Sequence, residues 1–516
     1  MSISVPVLPW NIPPSSFTAP VSLILCLLAS LGLLLGLHQP KSQFTRVGKP
    51  WLLSLLSGKH AMSFTMEHHV AEGYRKVIKP TNRPFVMKWW ARDYNFLPPK
   101  YLVDFKRAGT HSLSFFENLS TAFSMYASVG DLYSSDLMVD VVKRGINVRL
   151  PKLVPLLSDE CDYAFRREIG GPKEWKAFTA AQLSQKIMHR VTSRILIGTE
   201  LCRDENYLRS STTLNNSVFI NGLVMTMLPL GPLRRLGCHF FSFLHRRNIR
   251  NAMKDILPVV TKRFEEFQNQ DKDSLEALDA IQWSLEFSAG NKKEHNPEWI
   301  ALSLLHNLWA GSAAPAGLVT QMIFQTLLEP QYLDPLRSEA VKAIGTYGWT
   351  DKALSSMPLI DSFIRELNRL YPTGAVTCAR TVMDKTFQFH DGFQLPRGSR
   401  IAIPALAIHT DPDNFPDPMK FDGFRFAKMN TAEKSGEETE AKWGASTVSE
   451  TNLAFGFGKH SCTGRFYAVR KAKLIFSKLI MQYDLKWEGV MSMPPRLSIN
   501  GQFAANQLQK IFLKQR

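Results

Sequence analysis

The side chains of this chain best suited to chemistry lie in residues 453–476, which read LAFGFGKHSCTGRFYAVRKAKLIF. The segment combines a glycine-rich bend, a single cysteine and a run of apolar residues with helical spacing. Glycine adopts backbone conformations that other residues avoid, and it lets a flat ligand approach the main chain closely. We expect Gly456, Gly458 and Gly464 to use this freedom around Cys462.

The helical run predicts that Cys462 lies at or just before a helix N-terminus, where amide dipoles favour a thiolate. A thiolate held in this way is suited to be an axial ligand of haem iron. The alternative is a buried structural cysteine, because free cysteines are among the most buried residue types. The residues around the cysteine favour the first interpretation.

The pattern Phe455-x-x-Gly458-x-His460-x-Cys462-x-Gly464 resembles the haem-binding motif of the cytochrome P-450 family. The resemblance implies that Cys462 is the catalytic centre and the axial ligand of the iron of haem b. It places Phe455, Gly458 and Gly464 among the cofactor-binding residues, and it makes His460 a contact of a haem propionate. The residue after the cysteine is threonine where many members have proline, a position that shapes the bend without binding iron.

A second motif, Glu366-x-x-Arg369, precedes the cysteine segment, and Arg425 lies between the two in FDGFRF, residues 421–426. Glu366 and Arg369 are neighbours on a predicted helix, and an exposed pair of this kind is worth under about 1 kcal/mol. The family resemblance implies instead a buried network of Glu366, Arg369 and Arg425. Its role would be structural, to hold the cysteine loop.

A long apolar helix is predicted from the cap Asn296-Pro297-Glu298 to about Leu328. In the family this helix crosses the haem and carries an acid and a threonine that help to deliver protons to oxygen. The matching residues are Ala310 and Gly311, followed by Ala313 in place of the acid and Ala314 in place of the alcohol.

A second register, residues 316–320, would restore a threonine at Thr320, but its spacing to the following motifs is too short, so we favour the first register. Pro315 should bend the helix and free a carbonyl one turn earlier, which could hold a water molecule. Water, Ser312 or a substrate hydroxyl would then have to supply the proton that the missing threonine would have directed.

Residues 386–395 alternate around Asp391-Gly392, a strong hairpin signal. Arg380, just upstream, matches the position where the family often places a propionate-binding arginine. The other interpretation of Arg380 is a lone exposed arginine, and the sequence does not decide between them.

Composition describes a globular chain of 516 residues with 45% hydrophobic and 21% charged residues. The 62 Lys and Arg exceed the 45 Asp and Glu, a formal net charge of +17 that favours anionic membrane surfaces or acidic partner proteins. No tight basic tract with interleaved aromatic residues occurs, so no nucleic acid partner is expected. The six cysteines lack C-x-x-C spacing, which indicates neither a zinc site nor a disulfide framework.

Val21–Leu37 is an uncharged apolar run near the lower end of the ~17–25 residues that span a bilayer. A cleavable signal peptide is the alternative, but its positively charged n-region is missing. Because Lys41, Arg46 and Lys49 follow the run, the positive-inside rule predicts a cytosolic catalytic domain.

We therefore expect a short lumenal N-terminus (1–20), a transmembrane anchor (21–37), a linker (38–49) and a haem-thiolate catalytic domain (50–516), held in the endoplasmic reticulum membrane by a single pass. Within that domain, residues 222–241 form an apolar patch with a basic rim. This patch is either buried core or, by analogy with the family, a membrane-dipping loop at a substrate entrance.

The resemblance implies a mainly α fold with a small β region, preceded by one transmembrane helix, and is nearest to filamentous-fungal microsomal enzymes. The implied enzyme is a monooxygenase that oxidises an apolar natural-product intermediate (terpenoid, meroterpenoid or alkaloid) with O2. Its electrons would come from NADPH–cytochrome P-450 reductase, whose acidic face would meet the basic face of this chain. Because Ala313 and Ala314 replace the acid and the threonine, non-insertion chemistry (dehydrogenation, coupling or rearrangement) is an alternative, and a non-enzymatic haem sensor is a third.

Overall fold

A computed structural model describes residues 44–48, 64–227, 234–269, 277–433 and 442–516. The predicted lumenal segment 1–20 and the predicted anchor Val21–Leu37 lie outside these residues. In the part of the chain that is described, no helix is both long enough and apolar enough to cross a membrane.

Helices make up most of the described residues. The α-helices are α1 (Met66–Gly73), α2 (Lys79–Thr81), α3 (Leu102–Arg107), α4 (Phe115–Phe123), α5 (Tyr126–Val129), α6 (Leu137–Asp140), α7 (Asn147–Glu168), α8 (Ala180–Cys202), α9 (Glu205–Met227), α10 (Arg234–Phe241), α11 (Phe243–Asn269), α12 (Ala280–Ser288), α13 (Pro297–Leu328), α14 (Leu333–Tyr347), α15 (Asp351–Ser355), α16 (Pro358–Leu370), α17 (Ala405–His409), α18 (Arg425–Glu433) and α19 (Arg465–Gln482). Short π-helical turns occupy Tyr74–Ile78 and Val141–Ile146, and 3-10 turns occupy Pro99–Tyr101, Leu132–Ser134, Pro330–Tyr332 and Gly458–His460.

The strands of the described residues are short and form four sheets. They are β1 (Thr45–Arg46), β2 (Phe85–Trp89), β3 (Arg92–Phe96), β4 (Leu113–Ser114), β5 (Lys176–Thr179), β6 (Thr377–Val382), β7 (Thr386–Gln388), β8 (Gln394–Pro396), β9 (Arg400–Ile403), β10 (Tyr483–Trp487), β11 (Leu497–Ile499), β12 (Gln502–Ala504) and β13 (Lys510–Gln515). The largest sheet has the order β1-β2-β3-β9-β6-β4, and β10-β13-β5, β11-β12 and β7-β8 form the others. The predicted mainly helical fold with a small β region is confirmed.

Hairpin β7–β8 forms where the Asp391-Gly392 turn predicted it, with Gly392 at φ +85°. Hairpin β2–β3 has no such signal, because Trp90 and Ala91 occupy its turn at φ 51° and 57°, where asparagine and glycine are usual. Strand β1 pairs in parallel with β2. The largest sheet therefore takes in part of the segment predicted as a linker.

Helix α13 has the predicted bounds and the predicted cap. The Asn296 side chain accepts a hydrogen bond from the Trp299 amide at 2.9 Å, and proline occupies the first helical position. The helix continues through Pro315 as one element. It is largely buried and packs against α8, α11 and α19.

The cysteine segment lies at the junction of two apolar cores. Leu453 and Phe457, before the cysteine, pack into the core around the largest sheet. Tyr467 and Val469, after it, pack into the larger helical core. The residues between them therefore face the boundary of the two cores.

Candidate functional site

The loop before α19 is a tight backbone structure. The Cys462 amide donates to the Phe455 carbonyl at 2.8 Å, which closes the bend. Gly456 and Gly458 have φ of +71° and +73°, so both need the conformational freedom of glycine. A Cβ on Gly458 would lie only 2.2 Å from the Phe105 carbonyl oxygen, so this position also excludes any side chain.

Gly464 was expected to adopt a backbone conformation that other residues avoid, and this expectation was wrong. Its φ is −83°, which any residue adopts, and a Cβ there would meet only Val142 at 3.8 Å. Gly464 immediately precedes α19, whose first residue is Arg465. Its backbone conformation therefore does not require glycine, and only a close approach by a ligand would.

Cys462 is the exposed cysteine among those the structure describes; Cys161, Cys202, Cys238 and Cys378 are buried. This finding contradicts the interpretation of Cys462 as a buried structural cysteine. Protein atoms around the sulfur still desolvate it, and this burial raises the pKa of the thiol, while the amides of Gly464 and Arg465 and the Arg465 charge oppose the shift. A metal ion removes the proton of a coordinating thiol, so iron could offset this burial cost.

Two side chains that the sequence did not single out bind the carbonyls of Cys462 and of the residue after it. Arg465 donates from Nη1 to the Cys462 carbonyl at 2.8 Å and from Nε to the Ser446 carbonyl at 3.1 Å. Asn147 donates from Nδ2 to the Thr463 carbonyl at 2.8 Å. These bonds hold the backbone of Cys462 and Thr463 in place at the start of α19.

Arg380 is buried, with 3% of its surface exposed, so the interpretation as a lone exposed arginine was wrong. Its guanidinium donates to the carbonyls of Ala379 at 2.8 Å and His460 at 3.2 Å. It forms no ion pair with any carboxylate of the described residues, and burial lowers its pKa to about 10. A buried cation without an anion is costly, so the site fits an anionic group such as a propionate.

His460 lies beside Arg380, and its Nε2 is 3.0 Å from the Thr110 carbonyl. Burial is the main cause that lowers the pKa of its imidazole. The structure thus brings His460 and Arg380 together next to the cysteine bend. Their contact with a haem propionate stays a prediction.

Glu366, Arg369 and Arg425 form the predicted network. Arg369 donates from Nε and Nη2 to the two carboxylate oxygens of Glu366, both at 2.8 Å, and Arg425 Nε donates to Oε1 at 3.2 Å. Glu366 and Arg369 are 0% and 1% exposed, so this is not a surface pair.

The network reaches the cysteine segment through His409, to which sequence analysis gave no role. Arg369 Nη1 donates to the His409 carbonyl at 2.8 Å, and His409 Nε2 accepts from the Leu453 amide at 2.9 Å. Burial lowers the pKa of His409 to about 3, so the ring stays neutral and can accept this hydrogen bond. Arg369 therefore positions the first residue of the segment that ends in Cys462.

Helix α13 presents an exposed face that lacks any hydroxyl group. Ala310, Ala313 and Ala314 are exposed and lie on one side of this largely buried helix. Thr320 is buried, and its hydroxyl donates to the Ala316 carbonyl at 2.9 Å. The exposed residues are those of the favoured register, and the threonine of the second register faces elsewhere.

Two expectations about proton supply are corrected. Ser312 is buried, donates to the Leu308 carbonyl at 2.7 Å and accepts from Asn215, so its proton is not directed to the exposed face. The carbonyl freed by Pro315 belongs to Gly311, and it accepts a hydrogen bond from Lys471 Nζ at 2.7 Å. A lysine thus occupies the position in which water was expected.

Part of the apolar patch at residues 222–241 is exposed, and residues 228–233 lie outside the described chain. Leu236 and Phe240 on α10 are 74% and 70% exposed, whereas Met225 and Cys238 are buried. Helix α11 continues the exposed apolar surface with Phe243 and Leu244. The core interpretation is therefore wrong for Leu236 and Phe240 of α10, and it holds for Met225 and Cys238.

The residues present fit a haem group. An accessible cysteine follows a glycine bend, a buried arginine has no partner among the described carboxylates, and a central helix carries exposed alanines. Cys462 would hold the iron, and Arg380 with His460 would face the propionates. When bound, the haem would supply oxygen activation, which the thiolate assists by donating electron density.

Comparison with known proteins agrees with this geometry. The family model described as cytochrome P-450 matches residues 143–510. The chain belongs to the cytochrome P-450 family. It is a P-450 monooxygenase, an oxidoreductase of a family that uses haem iron.

The chain is similar to fungal enzymes along most of its length. Cytochrome P-450 monooxygenase sirB of Leptosphaeria maculans is 38% identical over 474 residues, which cover 91% of this chain and 90% of that relative. Ent-kaurene oxidase of Fusarium fujikuroi is 26% identical over 498 residues, which cover 90% of this chain and 91% of that relative.

Among solved structures, retinoic acid bound cyanobacterial CYP120A1 superimposes with a TM-score of 0.63 at 16% identity. The match covers 92% of this chain and 99% of the cyanobacterial one. At this identity the similarity shows the fold alone.

Proposed function

We propose that this protein is a membrane-anchored monooxygenase with haem b that oxidises an apolar natural-product intermediate of the terpenoid, meroterpenoid or alkaloid class. The observation that carries the proposal is the exposed Cys462 at the junction of the two cores, after a bend that only glycines can form. The names of the fungal relatives, which include ent-kaurene oxidase, support this substrate range.

We infer that the electrons come from NADPH–cytochrome P-450 reductase, docked on a basic surface beside the cysteine loop. Lys106, Arg107 and Lys459 are exposed there, and Lys459 Nζ lies 3.3 Å from the Arg107 carbonyl. A cluster of this charge attracts an acidic partner and speeds its association at low salt.

The membrane assignment rests on two features. Val21–Leu37 would anchor the chain in the endoplasmic reticulum membrane with its catalytic domain in the cytosol. Helix α10 and the start of α11 would dip into the same membrane, because exposed Leu236 and Phe240 stand beside exposed Arg235 and Arg247.

Non-insertion chemistry is a second candidate, and one observation favours it. The exposed face of α13 has alanine at positions 313 and 314, and the nearby hydroxyls of Ser312 and Thr320 are bonded to helix carbonyls. No alcohol of this described segment is thus directed to that face. Oxygen insertion would then need water or a substrate hydroxyl as the proton donor. Dehydrogenation or coupling driven by O2 needs the same protons, because the oxygen leaves as water, whereas a rearrangement that consumes no O2 needs none.

The test begins with the metabolite that accumulates when the protein is absent from its host. Membranes that contain the protein and a reductase are given this metabolite, NADPH and isotopically labelled O2. Label in the product, with NADPH consumption that requires the metabolite, supports the monooxygenase. Turnover without label supports non-insertion chemistry, and a bound haem with no turnover of any accumulating metabolite would contradict both. Membranes that carry Cys462→Ala are the control for both outcomes.

A further inference from the structure

Helix α13 lacks one backbone hydrogen bond in the segment that carries its exposed alanines. In an α-helix, each amide donates to the carbonyl four residues earlier, so Pro315 leaves the Gly311 carbonyl without its donor. A proline ring inside a helix also crowds the carbonyl four residues earlier. A carbonyl in this partly buried position needs another donor, from water or from elsewhere in the protein.

Lys471 of α19 supplies that partner. Its Nζ donates to the Gly311 carbonyl and to Thr192 Oγ1, each at 2.7 Å, and lies 4.1 Å from the centre of the Tyr467 ring. The Thr192 hydroxyl is 3.4 Å from the same carbonyl, but its one proton goes to the Met188 carbonyl at 2.7 Å. The amine of Lys471 is therefore the effective donor to Gly311.

Lys471 differs from the other buried lysines of its helix. Lys473 pairs with Asp361 and Lys478 with Asp162, each at 2.6 Å. Lys471 is completely buried, and none of the described carboxylates forms an ion pair with it. Burial among neutral partners lowers the pKa of its ammonium well below the usual range. Its contacts are those of a hydrogen-bond donor to a helix backbone and not those of an ion pair.

The residue at position 311 makes this contact possible. A Cβ on Gly311 would lie 3.2 Å from Thr192 Cγ2, a tight contact, and 3.9 Å from Lys471 Nζ, an ordinary van der Waals contact, so a side chain there would crowd Thr192. Helix α19 begins three residues after Cys462. One helix therefore follows the predicted iron ligand directly and also reaches the α13 carbonyl that Pro315 leaves without a donor.

We propose that Lys471 is a positioning residue that replaces the hydrogen bond lost at Pro315 and fixes the segment Gly311–Ala314 of α13 relative to the helix that follows Cys462. Its catalytic consequence rests on the function proposed above, whereas its structural basis does not. Without this donor, the Gly311 carbonyl must recruit water or shift. Either change would admit water beside the exposed alanines and divert electrons from the product.

The test is a cycle of four haem-loaded proteins: wild type, Lys471→Met, Pro315→Ala and the double variant. Methionine keeps the length of the lysine stem but cannot donate. Alanine at 315 restores the amide hydrogen, so the Gly311 carbonyl regains its helical partner. We expect Lys471→Met to lower the thermal unfolding midpoint by several degrees in the wild-type background and by much less in the Pro315→Ala background.

A matched control separates this effect from the general cost of a buried lysine. Lys478→Met removes another buried lysine of α19, but its partner is Asp162 and not α13. Its effect on the midpoint should be the same with Pro315 and with alanine at 315. Equal losses for Lys471→Met in the two backgrounds would overturn the proposal. If Lys471→Met fails to fold, recovery of folded double variant supports the proposal, and failure of the double variant while Pro315→Ala folds overturns it.

The second measurement tests the positioning role. In Lys471→Met protein with a normal red-shifted Soret band of the reduced carbon monoxide complex, we expect less product per NADPH consumed and little change in KM. The double variant should regain this yield. Unchanged yield in Lys471→Met would overturn the positioning role even if the midpoints behave as expected. The midpoint cycle needs no substrate, so its result stands apart from the success or failure of the proposed function.

Discussion

Arg369 is the side chain of the Glu366 network with the most buried contacts. Its Nε and Nη2 bind both oxygens of Glu366 at 2.8 Å, and its Nη1 donates to the carbonyls of His409 and Pro418. Replacement by alanine would leave Glu366 with the Arg425 Nε at 3.2 Å and the Asp422 amide at 3.1 Å. The substitution therefore removes the two shortest hydrogen bonds to a carboxylate that is fully buried.

Removal of one partner of a buried ion pair costs about 3–5 kcal/mol, because the other charge stays desolvated. The carbonyls of His409, Pro418 and Lys420 also lose a donor, at about 1–3 kcal/mol for each that stays unsatisfied, although Lys420 keeps a bond from Arg425. Since Glu366 keeps two partners, we expect the total for Arg369→Ala to be about 3–5 kcal/mol, a large part of the about 5–15 kcal/mol that stabilises a typical protein.

Two further variants should rank the stability losses caused by removing these contacts. Arg369→Lys keeps the charge but loses the two-pronged contact with Glu366, so its cost should be intermediate. Arg425→Ala removes a single longer bond to Glu366 from a partly exposed side chain, which predicts a smaller loss of about 1.5–3 kcal/mol.

The assay compares the haem-thiolate absorbance per polypeptide and the midpoint of denaturant unfolding for the three variants. We expect Arg369→Ala to yield little folded, haem-loaded protein, because His409 and Leu453 lose their fixed position next to the cysteine bend. A fully loaded Arg369→Ala protein that unfolds within about 1 kcal/mol of wild type would refute this reasoning.

Four further outcomes are expected. Cys462→Ala should abolish the red-shifted Soret band of the reduced carbon monoxide complex, and an unchanged band would remove Cys462 as the ligand. Gly458→Ala should prevent haem loading, because its Cβ would lie 2.2 Å from the Phe105 carbonyl oxygen, and normal loading would contradict that geometry. Protease added to sealed microsomes should digest the catalytic domain if Val21–Leu37 is the anchor, whereas protection would mean the reverse topology. The last test uses a substrate analogue that lacks the hydroxyl nearest the oxidised carbon. Wild type should turn over this analogue more slowly than the substrate and with less product per NADPH consumed, and Ala314→Thr should reduce that difference. Equal turnover and coupling by wild type would exclude substrate assistance.

Local backbone requirements let the sequence predict several parts of the site. The Asn296-Pro297 cap and the helical spacing after it predicted α13 to its last residue, because caps and periodicity act over a few neighbouring positions. The glycine bend before Cys462 and the hairpin at Gly392 follow from the same kind of short-range constraint. Pro315 likewise predicted, from its missing amide hydrogen, that the carbonyl four residues earlier would be free.

The partner of that carbonyl could be found only from the tertiary structure, because Lys471 lies 160 residues further along the chain. The burial of Arg380 and the hydrogen bond from the Leu453 amide to His409 could likewise be found only from the tertiary structure. The sequence shows which hydrogen-bond donors and charged groups a chain contains, and local rules predict which backbone groups will lack a partner. Which side chains become buried beside those groups depends on how distant helices and strands pack, and that packing decided here which residues hold the cysteine bend and the central helix.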